Sequence, residues 1–214
     1  NARLAPGAGF HPFGGDPALE QHLLERRVQG TFFDAQHAWV LVPDPNDMLK
    51  GTSHAPDEVV GSMNPGSDAG DTWSYTVKDC AVNAVMAGAK PEYFPLILAI
   101  ASGNMTSINI SDNGFAAAAV VNGRIRDEIG LNYDVGAVGP YALANVAIGR
   151  AWNLISINGG NCGKVGTTYM GTIGNPMNLI GIIMAENEQK SPFQPLAVRR
   201  GFKEGENAGS SAKV

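Results

Sequence analysis

The sequence has no long hydrophobic run and only two cysteines. No apolar stretch approaches the roughly 20 residues that a helix needs to span a bilayer, so no membrane-spanning segment is predicted. The longest apolar-rich tract, over 94–101, has the length of a core helix. Cys80 and Cys162 are too few for the disulfide scaffold of a secreted protein. We therefore expect two reduced thiols in a cytoplasmic protein.

Charge is also scarce, at 16% of the residues, with a formal net charge of −5. The chain has no basic cluster, because Arg26-Arg27 and Arg199-Arg200 are isolated pairs, so nucleic acid is not expected as a partner. Small residues are abundant instead, including 27 glycines. This composition suits the packed surfaces of a homo-oligomer, although a turn-rich monomer would share it. The chain begins at Asn1 rather than Met, so whether a segment precedes Asn1 in the full protein is left open.

The organisation along the chain indicates one main domain with an attached arm. Residues 1–75 contain all four histidines and more than half of the 13 prolines, and we predict an irregular N-terminal arm there. Within it, Asp16 could cap a short helix and residues 38–42 could form a strand. Residues 76–202 are predicted to form the core domain, and residues 203–214 a frayed tail.

The pattern within the core favours an α+β fold. Helices are predicted over 76–88, with Thr76 as the cap, and over 92–101 and 140–155. Strands are predicted over 107–110, 116–121 and 179–184, the second ending at the turn Asn122-Gly123. Because these elements lack regular βαβ spacing, we expect a helix pair and one long helix packed on a small mixed sheet.

The clearest sign of a site is the junction where the predicted strand over 179–184 ends in charged residues. In an extended chain Glu186 and Glu188 point the same way and Asn187 points opposite. Paired carboxylates at the end of a buried strand are costly unless they bind something, and such a pair can divide the roles of acid and base. They could equally bind a metal or hold arginines. The plain alternative is ordinary charge on a solvated strand end.

The glycine-rich loop over 158–178 is a second candidate. It departs from a phosphate-binding loop because Asn158 replaces the first glycine and Val165 replaces the required Ser or Thr. The loop could cover a substrate or be a mobile connector. Cys162 lies beside Lys164 and is a candidate reactive thiol, because a nearby cation lowers the pKa of a thiol. Cys80, in contrast, is expected in the core.

The leading hypothesis is an enzyme, or a catalytic subunit, that acts on a small polar or anionic molecule. Glu186 and Glu188 would be the general acid and base, with Arg126 or Arg150 as an anion clamp. The remaining predicted substrate-binding residues are Asn83, Glu92, Asn132 and Asn187. The histidines lack metal-binding spacing, so no metal site built from them is predicted, and the cofactor is left unknown.

Two alternatives stay open. The chain could be a non-catalytic subunit of a self-assembling oligomer, with Glu186 and Glu188 paired to arginines across an interface. It could also be a protein that only binds a small molecule.

An ordered series of short blocks resembles a bacterial family associated with, or fused to, UGSC proteins, which carry a selenocysteine- or cysteine-Gly-Ser-Cys motif. The similarity extends over about residues 76–202. The blocks include Asn83-Ala84-Val85-Met86-Ala87-Gly88, Lys90-Pro91-Glu92-Tyr93-Phe94-Pro95, Val121-Asn122-Gly123, Ile148-Gly149-Arg150, Gly174-Asn175-Pro176, Ala185-Glu186-Asn187-Glu188 and Arg200-Gly201-Phe202.

The resemblance implies a cytoplasmic bacterial protein that is one subunit of a redox or bond-cleaving system, with a UGSC-type protein as a partner. This chain departs from the family pattern at Ala89, where relatives have cysteine, and at Asp79, where they have lysine. The Cys-Gly-Ser-Cys motif itself is absent. These departures weaken any thiol-redox mechanism that this chain would carry out alone.

Overall fold

The computed structural model describes residues 44–63, 72–108, 117–162 and 180–213. The predicted helix after Asp16, the predicted strand over 38–42 and most of the loop over 158–178 lie outside these ranges. The helices and strands are α1 (Pro45–Leu49), β1 (Val59–Met63), β2 (Trp73–Thr76), α2 (Val77–Met86), a 3-10 turn (Pro91–Tyr93), α3 (Phe94–Ser102), β3 (Ala117–Asn122), α4 (Ile125–Glu128), α5 (Leu143–Asn158), β4 (Ile182–Ala185), α6 (Leu196–Arg199) and β5 (Ala208–Lys213).

The strands form two small sheets. β1 and β2 make an antiparallel pair, and β3 lies between β4 and β5 in a sheet of three strands. β3 runs parallel to β4, with Val121 opposite Ala185, and antiparallel to β5. Together with the helices these mixed pairings confirm the predicted α+β class.

The helices α2, α3 and α5 form the main part of the core. Trp152 of α5 and Phe94 of α3 are buried in it, as are Met48, Met63 and Tyr75 from the region that was predicted to be an irregular arm. Helix α5 approaches the chain before β4 through Gly149, whose carbonyl accepts a hydrogen bond from the Gly181 amide at 3.1 Å. Part of the predicted arm therefore contributes to the core, while the domain boundary stays a prediction because residues 1–43 are not described.

Helix α2 begins as predicted. The Thr76 hydroxyl accepts from the Asp79 amide at 3.2 Å, and the Asp79 carboxylate accepts from the Thr76 amide at 2.8 Å. This capping box satisfies two amides at the start of the helix. Asp79 therefore stabilises the start of α2.

Three expectations need correction. Ser107 and Ile108 do not form a strand, because the Ser107 amide donates to the Ser156 hydroxyl of α5 at 3.0 Å rather than to a neighbouring strand. β4 begins at Ile182 rather than at residue 179, since the Gly181 amide is bonded to α5. The segment after Gly205 is not frayed throughout, because Ala208–Lys213 pairs with β3.

The long helix begins at Leu143, three residues later than predicted, and ends at Asn158. Turns occupy residues 134–141 and include the hydrogen bond from the Gly139 amide to the Gly136 carbonyl at 2.8 Å. Over the described ranges, no helix is long and apolar enough to cross a membrane.

Candidate functional site

The ends of β3 and β4 bring two distant stretches of the chain together. Because the strands are parallel, their carboxyl ends meet at one edge of the sheet, the usual location of sites in such sheets. The Glu186 amide continues the pairing by donating to the Val121 carbonyl at 3.0 Å. Asn122, the last residue of β3, therefore lies beside the acidic pair.

Both carboxylates converge on the side chain of Asn122. Its Nδ2 donates to Oε2 of Glu186 at 2.6 Å and to Oε1 of Glu188 at 2.9 Å. Glu186 Oε2 also accepts from the Leu196 amide at 2.8 Å, and Glu188 Oε1 from the Gly123 amide at 2.9 Å. The prediction that the two glutamates point the same way agrees with this geometry.

Arg126 supplies the positive charge at this edge. Its side chain is only 3% exposed, and Nη2 lies 3.2 Å from Oε2 of Glu188. Nη1 donates to the Glu186 carbonyl, and Nε donates to the Gly123 carbonyl at 2.8 Å. The guanidinium also lies over the Tyr133 ring, 5.0 Å from its centroid. We call Asn122, Arg126, Glu186 and Glu188 the acid-pair cluster.

The acid-pair cluster contains two carboxylates and one guanidinium, so negative charge is in excess. In the described part of the chain, Arg126 is the basic side chain at the acid pair, and its salt bridge goes to the carboxylate of Glu188. Three of the four carboxylate oxygens have hydrogen-bond or ion-pair partners there, and the fourth is Oε1 of Glu186. Glu186 is half-buried, so this oxygen is the one available to a ligand.

Asn83 lies in a different environment from the acid-pair cluster. It is buried in α2, where its Nδ2 donates to the Asp79 carbonyl at 2.8 Å. Its Oδ1 accepts from Asn158 Nδ2 at 2.6 Å. Asn83 and Asn158 line a cavity of about 560 Å³ together with the exposed Trp73. The residues lining this cavity do not include Glu186 or Glu188.

Asn132 contacts helix α5 through a buried residue that sequence analysis missed. The Asn132 amide donates to Oδ1 of Asn145 at 2.9 Å. Nδ2 of Asn145 donates to the carbonyls of Asn132 and Ile183, at 3.1 and 3.0 Å. Asn145 therefore ties the segment after α4 to β4. An amide placed among the apolar residues of a predicted helix is the signal that could have indicated this role.

The other predicted binding residues are dispersed. Glu92 is half-exposed and lies 3.8 Å from Lys90 Nζ. Arg150 donates to Asn153 Oδ1 at 2.9 Å. Asn187 Oδ1 accepts from the Lys190 amide at 3.2 Å within a local turn. The structure thus brings together Glu186, Glu188 and Arg126. The side chains of Glu92, Arg150 and Asn187 contact other residues instead.

Both thiols are buried. Cys80 lies in the core as predicted, and burial together with the nearby Asp79 carboxylate raises its pKa to about 12. Cys162 is 5% exposed, and its thiol donates to the Gly160 carbonyl at 3.6 Å. This burial does not fit the expectation of an accessible reactive thiol at Cys162, because reactive cysteines need partial exposure.

Metal coordination was one of the roles left open for the glutamates. Across the residues that the structure describes, no group of three or more His, Cys, Asp or Glu side chains is arranged to hold a metal ion.

Three comparisons with known proteins found no match to this chain. No family model matches the chain. No curated protein and no solved structure matches it either.

Proposed function

We propose that this chain is an enzyme, or the catalytic subunit of one, that acts on a small polar molecule at the carboxyl ends of β3 and β4. The observation that supports this proposal is the charge imbalance in the acid-pair cluster. Two carboxylates share the amide nitrogen of Asn122, while one guanidinium lies among them. A positively charged substrate group would balance the second carboxylate.

The two glutamates have different roles in this proposal. Glu186 is the general acid or base, because its Oε1 is available to a substrate. Glu188 is a positioning residue, since both of its oxygens have partners in the Gly123 amide, Asn122 and Arg126. A general acid or base must reach the proton that it transfers, and of these two glutamates Glu186 has the available oxygen.

The same contacts support a proposal for the substrate class. All three nitrogens of the Arg126 guanidinium contact the cluster or the Gly123 carbonyl. Arg126 therefore holds the cluster together and is a poor anion clamp. A substrate that presents a hydroxyl, amide or amine to Glu186 fits this site better than the anion considered from the sequence.

From the sequence resemblance we further propose that the chain is a subunit of a cytoplasmic bacterial redox or bond-cleaving system with a UGSC-type partner. Both cysteines of this chain are buried, and it lacks the Cys-Gly-Ser-Cys motif. Any thiol or selenol chemistry would therefore belong to the partner, and this chain would contribute acid–base chemistry.

One observation favours a second candidate function, a self-assembling subunit. Four large apolar side chains are exposed close together in sequence, which exceeds the scattered singles that a free surface normally shows. They are Val135 at 93%, Val138 at 74%, Tyr141 at 97% and Leu143 at 56% exposure. If they form an interface between copies, Tyr141→Glu should lower the mass measured by light scattering, and an unchanged monomeric mass would remove this candidate.

The catalytic proposal can be tested without knowing the substrate. Purified protein is incubated with a mixture of polar metabolites, and depleted compounds are identified by mass spectrometry. We expect depletion by the wild type and not by Glu186→Gln. Glu92→Gln is the matched control, because it neutralises a half-exposed glutamate elsewhere. No depletion by the wild type, or equal depletion by Glu186→Gln, would contradict the proposal.

A further inference from the structure

A separate cavity of about 320 Å³ lies between β1 and α3. Its wall is largely apolar and includes Val77, Pro95, Leu98 and Ala99. His54 and Glu58 line the same cavity. Ligand sites are typically apolar cavities with a few polar groups, with volumes of about 300 to 1,000 Å³. This cavity lies near the lower limit and suits a small ligand.

His54 is held in one orientation at this cavity. Its Nδ1 lies 2.9 Å from Oε1 of Glu58, and its backbone amide donates to Thr52 Oγ1 at 3.2 Å. The second oxygen of Glu58 accepts from the Ala55 amide at 3.3 Å. The carboxylate is therefore fixed from both sides, and it fixes the imidazole in turn.

When the His54 imidazole is neutral, the Glu58 carboxylate also determines which ring nitrogen carries the proton. An ionised carboxylate can only accept hydrogen bonds, so Nδ1 of the neutral imidazole is the donor and Nε2 keeps its lone pair. The side chains of His54 and Glu58 are 55% and 48% exposed, so a ligand can reach Nε2. Nε2 of His54 is an oriented acceptor beside an apolar cavity, so a matching ligand has an apolar body and one hydrogen-bond donor.

We propose that this cavity binds a small single-ring ligand with a hydroxyl group, such as a phenol. The ring lies against Val77, Pro95 and Leu98, and the hydroxyl donates to Nε2 of His54. In the neutral imidazole, Glu58 accepts from Nδ1–H and leaves Nε2 as the acceptor. This site is independent of the acid-pair cluster, because none of its residues belongs to that cluster.

The probe pair 4-fluorophenol and 4-fluoroanisole tests the proposal by 19F NMR titration of the full chain. The two have similar bodies, but the anisole lacks the hydroxyl. We expect saturable binding of 4-fluorophenol and about tenfold weaker binding of 4-fluoroanisole, the effect of one hydrogen bond. Absence of saturable phenol binding, or equal affinity for both probes, would overturn the proposal.

Three variants locate the site. His54→Leu should remove the preference for the phenol, and Ala99→Leu should block both probes by filling the cavity. Trp73→Ala, which alters the cavity beside Asn83, should change neither affinity. Circular dichroism confirms that each variant is folded, and the comparison of the two probes on the wild type does not depend on any variant. A preference that survives in His54→Leu, or binding lost in Trp73→Ala, would contradict the assignment.

Discussion

Oε2 of Glu186 accepts a hydrogen bond of 2.6 Å from Nδ2 of Asn122, although the two residues are 64 positions apart. The bond joins the ends of two parallel strands, and the same nitrogen donates to Glu188. Asn122 is 2% exposed. A buried donor shared by two carboxylates stabilises their close approach, and its removal leaves both with one donor fewer.

Asn122→Asp should therefore destabilise the fold strongly. The change replaces the shared donor by a third carboxylate, so we expect a loss of about 3 kcal/mol or more in the free energy of unfolding. Urea denaturation followed by circular dichroism measures this. Asn187→Asp is the matched control, because it keeps the oxygen that accepts from Lys190, and it should change stability by about 0.5 kcal/mol or less. Equal stability of the two variants would contradict the account.

Arg126 and Glu188 should be energetically coupled. Arg126→Met leaves the carboxylates without their buried cation, and we expect a loss of about 3 to 5 kcal/mol. In Glu188→Gln the carboxylate that pairs with Arg126 is already neutral, so losing the Arg126 cation costs less. The double variant should therefore be more stable than the sum of the single changes predicts. A double-mutant cycle by urea denaturation should give a coupling of about 1 kcal/mol or more. Additive changes would show that the ion pair contributes little.

Gly149 should not tolerate a side chain. A Cβ atom there would lie 2.0 Å from the Gly181 carbonyl oxygen, and this backbone group cannot move without disturbing the start of β4. We expect Gly149→Ala to destabilise the protein by about 2 to 3 kcal/mol. Gly209→Ala is the control, because a Cβ atom at Gly209 meets nothing within 4 Å. Thermal unfolding should show a clear decrease for the first variant only.

Cys80 should make the protein less stable at alkaline pH. The thiol in the unfolded chain titrates near its ordinary pKa of 9.0, while burial raises the pKa in the folded protein to about 12. Because the pKa of the thiol is raised in the folded protein, its contribution to the free energy of unfolding is complete below pH 9. This contribution is lost as the pH rises towards 12. Relative to Cys80→Ala, the unfolding free energy should fall by about 1 kcal/mol per pH unit above pH 9. Parallel profiles of the two proteins would contradict this.

Local sequence signals predicted several elements well. Helix α2 has apolar residues at helical spacing and Thr76 as the predicted cap, and the structure places its N-cap at Thr76. The strand predicted at Ser107 does not form, because the Ser107 amide bonds to Ser156, a contact that no local pattern indicates. The start of β4 was misplaced for the same kind of reason, since Gly181 bonds to α5.

The candidate site was only partly predictable. The alternation of side chains indicated that Glu186 and Glu188 share a direction, and Arg126 was predicted to lie at the same site as a possible anion clamp. Asn122 was interpreted only as part of a turn, because its role depends on β3 and β4 being parallel neighbours. Asn83 was grouped with the pair on polarity alone, and burial in α2 gives it other contacts. Strand order and register are tertiary properties, so residues joined through them cannot be inferred from one sequence.

We propose that Glu186, and not Glu188, exchanges a proton with the substrate. The most direct test of this proposal is kcat for Glu186→Gln on a substrate identified by metabolite depletion, with Glu92→Gln as the control. The account predicts a decrease of about 10²-fold or more for Glu186→Gln, the usual cost of losing a general acid or base, with Glu92→Gln unchanged. A kcat for Glu186→Gln equal to that of the control would contradict it.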